Sequence, residues 1–294
     1  STITMTDNIN NIILKNCEKI VFKDELLVSS LNYSLYSSTT CNHEWKTVYF
    51  GRTFIDPIVI TSDPTFNGVQ PATVRVRNVT PSSFEVVVIE PSNLDVIHMF
   101  ETINYVVGER GTHITSNNKQ IVFGSSNATP KTGNVNYNHT FSTKPVVLTQ
   151  NQTYNNAGWM TVRTTNITTT NFEVLLQPEE KIRNTYVALD VEQVGWLAIE
   201  TVNNDNSINC SETSQIVDHN MVTIDFNEPF SSPPTLIAKL SSSIGIDPAN
   251  IRISEITNTN FTILVQEETT TDSETQHIHE HISYLAMDSN SNTL

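Results

Sequence analysis

The sequence predicts an all-β protein, built as three tandem antiparallel β-sandwich repeats of about 90 residues, and three observations predict it. The 294-residue chain is rich in Thr, Ser, Asn, Val and Ile and only 16% charged, a composition that favours strands and turns over helices. One block recurs: Arg75, Arg163 and Arg252 stand 88 and 89 residues apart, and each precedes a phenylalanine, Phe84, Phe172 or Phe261, by nine residues. Short runs of β-branched and aromatic residues alternate with clusters of Asn, Asp, Ser, Gly and Pro, and no window carries helical periodicity.

Each element repeats in order. A first strand is expected at Ile20-Val21, Ile121-Val122 and Ile216-Val217, and a second at Val48/Phe50, Val135/Tyr137 and Ile224/Phe226. An apolar strand opens after Phe54-x-x-Pro57, Phe141-x-x-x-Pro145 and Phe230-x-x-x-Pro234. The Arg-bearing and Phe-bearing strands follow, and Glu101-x-x-x-Tyr105, Glu192-x-x-x-Trp196 and Glu280-x-x-x-Tyr284 close the units. Polar stretches then set the boundaries: a tail over 1–16 and repeats over 17–112, 113–204 and 205–294. The tail alternates Ile with Thr and is expected to add a strand to a neighbouring molecule.

A formal charge of −15 argues against nucleic acid or an anionic membrane as partner, and no apolar run is long enough to span a bilayer. Cys17 and Cys41 share a repeat and can pair in an oxidising compartment, which would leave Cys210 unpaired or bonded to another chain. Eight N-x-S/T sequons suit a secreted glycoprotein, but a chain this full of Asn, Ser and Thr produces about that number by chance.

The order of aromatic, Pro-led Val-Val strand, polar loop, Arg strand, Val-x-Pro/Thr-x-x-Phe and a final strand ending in an aromatic resembles the H-type lectin domain, of the snail-agglutinin and discoidin type. The resemblance covers nearly the whole chain, three times over. It implies six-stranded sandwiches that assemble as trimers and bind N-acetylgalactosamine-like sugars between subunits, and hence an intrachain pseudo-trimer here. The family's sugar-binding Arg falls at Pro71, Trp159 and Pro248, and its Trp-His pair at Pro91-Ser92, so the family's sugar contacts do not carry over.

Three sets of candidate residues stand out. Arg75, Arg163 and Arg252 with Glu101, Glu192 and Glu280 are expected to form structural ion pairs, inside each sandwich or across the contacts between copies, because strand alternation turns the carboxylates inward. In the polar loops, Asn67, Gln70, Asn151, Asn155, Asn156, Trp159 and Asp247 offer the amides, carboxylate and exposed aromatic that read a sugar. His277, His279 and His281 would share one face of an extended strand at about 6.6 Å spacing, suited to zinc, while Glu267, Glu268, Asp272 and Glu274 could attract calcium. Motifs for enzymatic chemistry are missing: there is no G-x-S-x-G, H-E-x-x-H, C-x-x-C or phosphate loop. The expected function is a non-enzymatic, secreted or surface-exposed carbohydrate-binding or adhesive protein, with glycans, glycoproteins or its own copies as partners. The alternative is a structural subunit of an extracellular fibre, coat or virion surface.

Overall fold

Runs such as Ile58–Ile60, Val146–Leu148 and Leu236–Ala238 are apolar at successive positions, which a strand tolerates only when both its faces are buried. The computed structural model, which describes residues 2–5, 19–22, 33–185, 188–202, 205–213 and 215–294, buries both faces of these strands. Among the described residues the fold is almost entirely β, the exception being the five-residue helix α1 (Glu180–Asn184).

The first sandwich pairs β3 (Ser34–Cys41), β8 (Glu101–Glu109) and β5 (Pro57–Thr61) in one sheet, and β4 (Lys46–Tyr49), β7 (Ser83–Ile89) and β6 (Thr73–Arg77) in the other. The second has β12 (Val146–Asn151), β15 (Glu192–Ile199), β10 (Gln120–Ala128) and β9 (Gly111–Ile114) against β11 (Gly133–Asn136), β14 (Asn171–Pro178) and β13 (Met160–Thr165). The third has β16 (Ile208–Glu212), β21 (Ile282–Met287) and β18 (Thr235–Leu240) against β17 (Val222–Asp225), β20 (Asn260–Glu267) and β19 (Ala249–Ile256). Every pairing inside the sandwiches is antiparallel.

The Phe of each repeat plugs a matching core. Phe84 packs with Phe50 and Tyr105, Phe172 with Tyr137 and Trp196, and Phe261 with Phe226 and Tyr284; Phe54, Phe141 and Phe230 meet the second aromatic of each set edge-on. Strand alternation sends the other residues of the long sheets to a fourth core shared by all three sandwiches. Along β8, Ile103, Tyr105 and Val107 face the sandwich interior while Val106 faces the shared core. Along β15, Trp196 and Ala198 face inward while Leu197 and Ile199 join it; along β21, Leu285 and Met287 do the same. The shared core explains the continuous apolar runs.

Three expectations about the elements are corrected. The first strand of the first repeat is β3, not Ile20-Val21; that dipeptide lies in β2 (Lys19–Phe22), which pairs in parallel with β1 (Thr2–Met5) in a separate two-stranded sheet. The first strand of the third repeat is β16, and Ile216-Val217 makes only an isolated bridge from Val217 to Glu280. In both cases a β-branched dipeptide drew attention from a more polar run, SLYSSTTC or INCSE, that wins its place by pairing along the edge of a buried strand. Finally, β9 crosses the expected boundary at 112/113 and adds a fourth strand to the long sheet of the second sandwich.

Candidate functional site

The recurring Arg and Glu meet across the contacts between sandwiches. Arg75 reaches Glu192 at 3.0 Å, Arg163 reaches Glu280, and Arg252 reaches Glu101 at 3.0 Å, with all six side chains fully buried. The first sandwich thus gives its guanidinium to the second, the second to the third and the third to the first. The donors stand within β6, β13 and β19, each Arg on the strand that pairs with the Phe-bearing strand of its repeat.

Each guanidinium also donates to carbonyls of the neighbour's polar loop. Arg75 donates to Gly158 O at 2.9 Å, Arg163 to Ser242 O at 3.2 Å, and Arg252 to Gly68 O and Gln70 O, both at 2.7 Å. The same loops cage the carboxylates. Glu101 accepts from Thr65 Oγ1 and from the backbone N–H groups of Asn67 (3.0 Å) and Gly68 (2.7 Å). Glu192 accepts from Thr153 Oγ1 and the N–H groups of Asn155 (3.2 Å) and Asn156 (2.9 Å). Glu280 accepts from Ser242 Oγ and the N–H groups of Ile244 and Gly245, each near 3.0 Å.

Burial acts against every charge in this arrangement, and the partners answer it. It pulls Arg252 down to about 10 against the opposing pull of Glu101 and Asp63. It pushes Glu280 up, but His277, Arg163 and Ser242 outweigh it and hold the carboxyl at about 2. Glu101 and Glu192 are likewise held below the ordinary carboxylate range, their hydrogen bonds outweighing burial. Such pairs fix geometry because the loss of one partner leaves a stranded charge.

Sequence reasoning missed a further support. His98 bridges Glu90 (2.7 Å) and Glu101 (3.0 Å), and His277 bridges Glu267 (2.6 Å) and Glu280 (3.1 Å). The signal was legible as His-x-x-Glu in the first and third repeats. The second repeat has Leu189 and Pro178 in place of this His and Glu, and there the Asn156 side chain donates to Glu192 at 3.0 Å.

The histidine expectation is corrected. The segment before β21 is irregular, so His277 turns inward while His279 stays exposed and His281 half-buried, and the three do not share a face. Among the described residues no group of three His, Cys, Asp or Glu is arranged to hold a metal ion. Glu267 and Glu268 are buried, bound to His277 and to the Glu180 N–H, whereas Asp272 and Glu274 are exposed. Cys17 lies outside the described residues; Cys41 is a buried thiol donating to Val86 O at 3.3 Å. Cys210 sits in the shared core, which removes it from reach of another chain.

Of the sugar-reading candidates, Asn151 and Trp159 are buried, Gln70, Asn156 and Asp247 are half-buried, and Asn67 and Asn155 are exposed. Trp159 is 1% exposed, which corrects its expected role as an exposed stacking ring, and Asn151 is equally buried. Asn67 donates to Phe100 O, Asn155 to Val191 O and Asn156 to Asp190 O; Gln70 offers its carbonyl to Arg252, and Asp247 pairs with Arg183 at 3.1 Å. These loops join neighbouring sandwiches and tie their own last strand, which accounts for their polarity.

No helix among the described residues is long and apolar enough to cross a membrane. No protein-family model and no solved structure matches the chain. Over 269 residues it is 25% identical to the protein named halomucin of Haloquadratum walsbyi, an alignment covering 86% of this chain and 3% of that one, so the chain is similar to a small part of a far longer protein.

Proposed function

We propose that the chain is a non-enzymatic carbohydrate-binding or adhesive module of a secreted or surface protein, with an H-type-lectin-like architecture folded into one chain. The observation that carries this reading is the cyclic exchange of buried Arg and Glu between three sandwiches, which is compatible with the pseudo-trimer that the lectin resemblance implies. Similarity to part of halomucin supports a place in a surface or extracellular protein. Glycans or glycoproteins are the partners. A glycan array probed with the chain, paired with a measurement of its size in solution, tests the reading. Selective retention of particular glycans by a small soluble species is expected, and retention of none overturns it.

A second reading, a structural subunit of a fibre, coat or virion surface, is favoured by one observation: the loop amides are committed to internal hydrogen bonds. Polymers without sugar preference in the same pair of experiments would select it.

A further inference from the structure

One buried ion pair stands apart from the Arg–Glu joints. Lys239 of β18 places its Nζ 2.5 Å from Oδ1 of Asp63, just beyond β5, across the contact between the third and first sandwiches and 176 residues away in sequence. The two side chains are only 9% and 8% exposed. An amine and a carboxyl held this way are the two halves of an amide.

The pair is particular to one joint. Five residues after Pro57, Pro145 and Pro234 the repeats carry Ser62, Gln150 and Lys239, and the next position holds Asp63, Asn151 and Leu240. The contact runs from the first of these positions in one repeat to the second in the following repeat. Its counterparts are therefore Ser62 with Asn151 and Gln150 with Leu240, neither of which unites an amine with a carboxyl. The backbone already connects the first sandwich to the second and the second to the third. Lys239 and Asp63 stand at the joint that it does not connect directly.

We propose that Lys239 and Asp63 condense into an amide, a covalent cross-link that closes the three sandwiches into a ring. The ammonium passes one proton to Oδ1, and the Nζ lone pair of the resulting amine attacks Cγ to form the Nζ–Cγ bond. A second Nζ proton then moves to Oδ1, the Cγ–Oδ1 bond breaks with its electron pair, and one water leaves. Of the three ammonium protons two depart in the water and one stays on the amide nitrogen. No oxidant, reductant or activating group is consumed.

The surroundings suit each stage. The Ile251 N–H donates at 3.2 Å to Asp63 Oδ2, the oxygen that carries the charge of the tetrahedral intermediate and becomes the amide carbonyl. Gln150 Oε1, 3.3 Å from Nζ, accepts the N–H that remains. A chamber of about 20 Å³, lined by both side chains together with Thr149, Thr161 and Asn250, has room for the departing water. Contact between the two groups supplies the proximity that condensation needs. The product also suits its place better, since a neutral amide with both polar atoms bonded escapes the desolvation that a buried ion pair incurs. The cross-link concerns the joining of sandwiches and not a ligand, so it is independent of both functional readings.

Intact-mass spectrometry of the whole chain, folded first and then denatured, tests it. The native chain is expected to weigh less than its sequence requires by the mass of one water, and protease digestion to release a branched peptide that joins the segments around Asp63 and Lys239. Lys239→Arg keeps a positive charge on a group that stays protonated and does not attack, and Asp63→Ala removes the carboxyl; both are expected at full mass. A native chain at full mass overturns the proposal and leaves an ordinary ion pair. A deficit of one water that persists in Lys239→Arg overturns it too, because the loss then lies at another site. The branched peptide is read from the native chain alone, so poor folding of either variant does not leave the question open.

Discussion

The first and third repeats hold their buried carboxylate with an imidazole, and the second holds it with an amide. In the former, Gly68 and Gly245 leave room for His98 and His277, each anchored by a second carboxylate, Glu90 or Glu267. In the latter, Asn156 stands at the glycine position, and Leu189 and Pro178 replace the His and its anchor. Three positions change together because they are one unit. An Asn side chain would collide with the imidazole, and a carboxylate anchor without an imidazole would be a stranded charge. The carboxylate and the guanidinium it receives stay the same throughout, which marks the joint between sandwiches as the fixed requirement and its support as the adjustable part.

Substitutions can break this comparison, and the largest effect is expected at the fixed part. Arg163→Met strands Glu280 and should cost about 3–5 kcal/mol of unfolding free energy in urea titrations, with Arg75→Met and Arg252→Met in the same range. If Arg163→Met proved neutral, the joint would not be what holds the sandwiches together. The supports come next. Gly245→Ala places a Cβ 2.3 Å from the His277 ring and Gly68→Ala one 2.8 Å from His98, so both should destabilise by about 1–3 kcal/mol, Gly245→Ala the more. Asn156→Ala meets no such clash and should cost only about 1 kcal/mol for its lost hydrogen bonds.

A smaller effect separates the two solutions by pH. Burial alone would lower the pKa of His277, but its bonds to Glu267 and Glu280 win, so the folded value is raised above the ordinary imidazole. Its contribution is therefore complete below about pH 6.5 and is lost as pH rises through the folded value. Glu280 has the opposite sign: its contribution is present above the unfolded carboxyl value and disappears as pH falls toward about 2. Chemical denaturation from pH 6 to 9 should show a decline in the native chain that His277→Leu, carrying the second repeat's residue, no longer shows. An identical decline in both would assign it to other groups. The smallest change is expected at the half-buried surface pair Arg77–Glu85, where Arg77→Ala should cost under about 1 kcal/mol.

The repeat and the inward turn of Glu101, Glu192 and Glu280 could be read from the sequence, because strand alternation and an 88-to-89-residue period survive any loop variation. Which sandwich received which guanidinium could not be read, since spacing alone fits a pair inside one repeat as well as one across two. The loops admit two readings for a physical reason. Thr65, Asn67, Thr153 and Asn155 have the composition of a sugar-reading surface, but polarity in a loop serves equally to satisfy a buried carboxylate. His277, His279 and His281 would alternate faces as expected only in a regular strand, and the backbone there is bent to bring His277 beneath Gly245. The first strands at Ser34–Cys41 and Ile208–Glu212 escaped notice because strand edges need fewer apolar residues than centres.

Arg252 and Glu101 lie 151 residues apart in sequence, and their contact closes the third sandwich onto the first. A double-mutant cycle on Arg252→Met and Glu101→Gln, read by urea denaturation, measures whether that closure exists in solution. The account predicts a coupling of about 2–3 kcal/mol, with the double variant more stable than the two single losses together would allow. Losses that add to within about 0.5 kcal/mol would contradict it and leave the three sandwiches unjoined at this face.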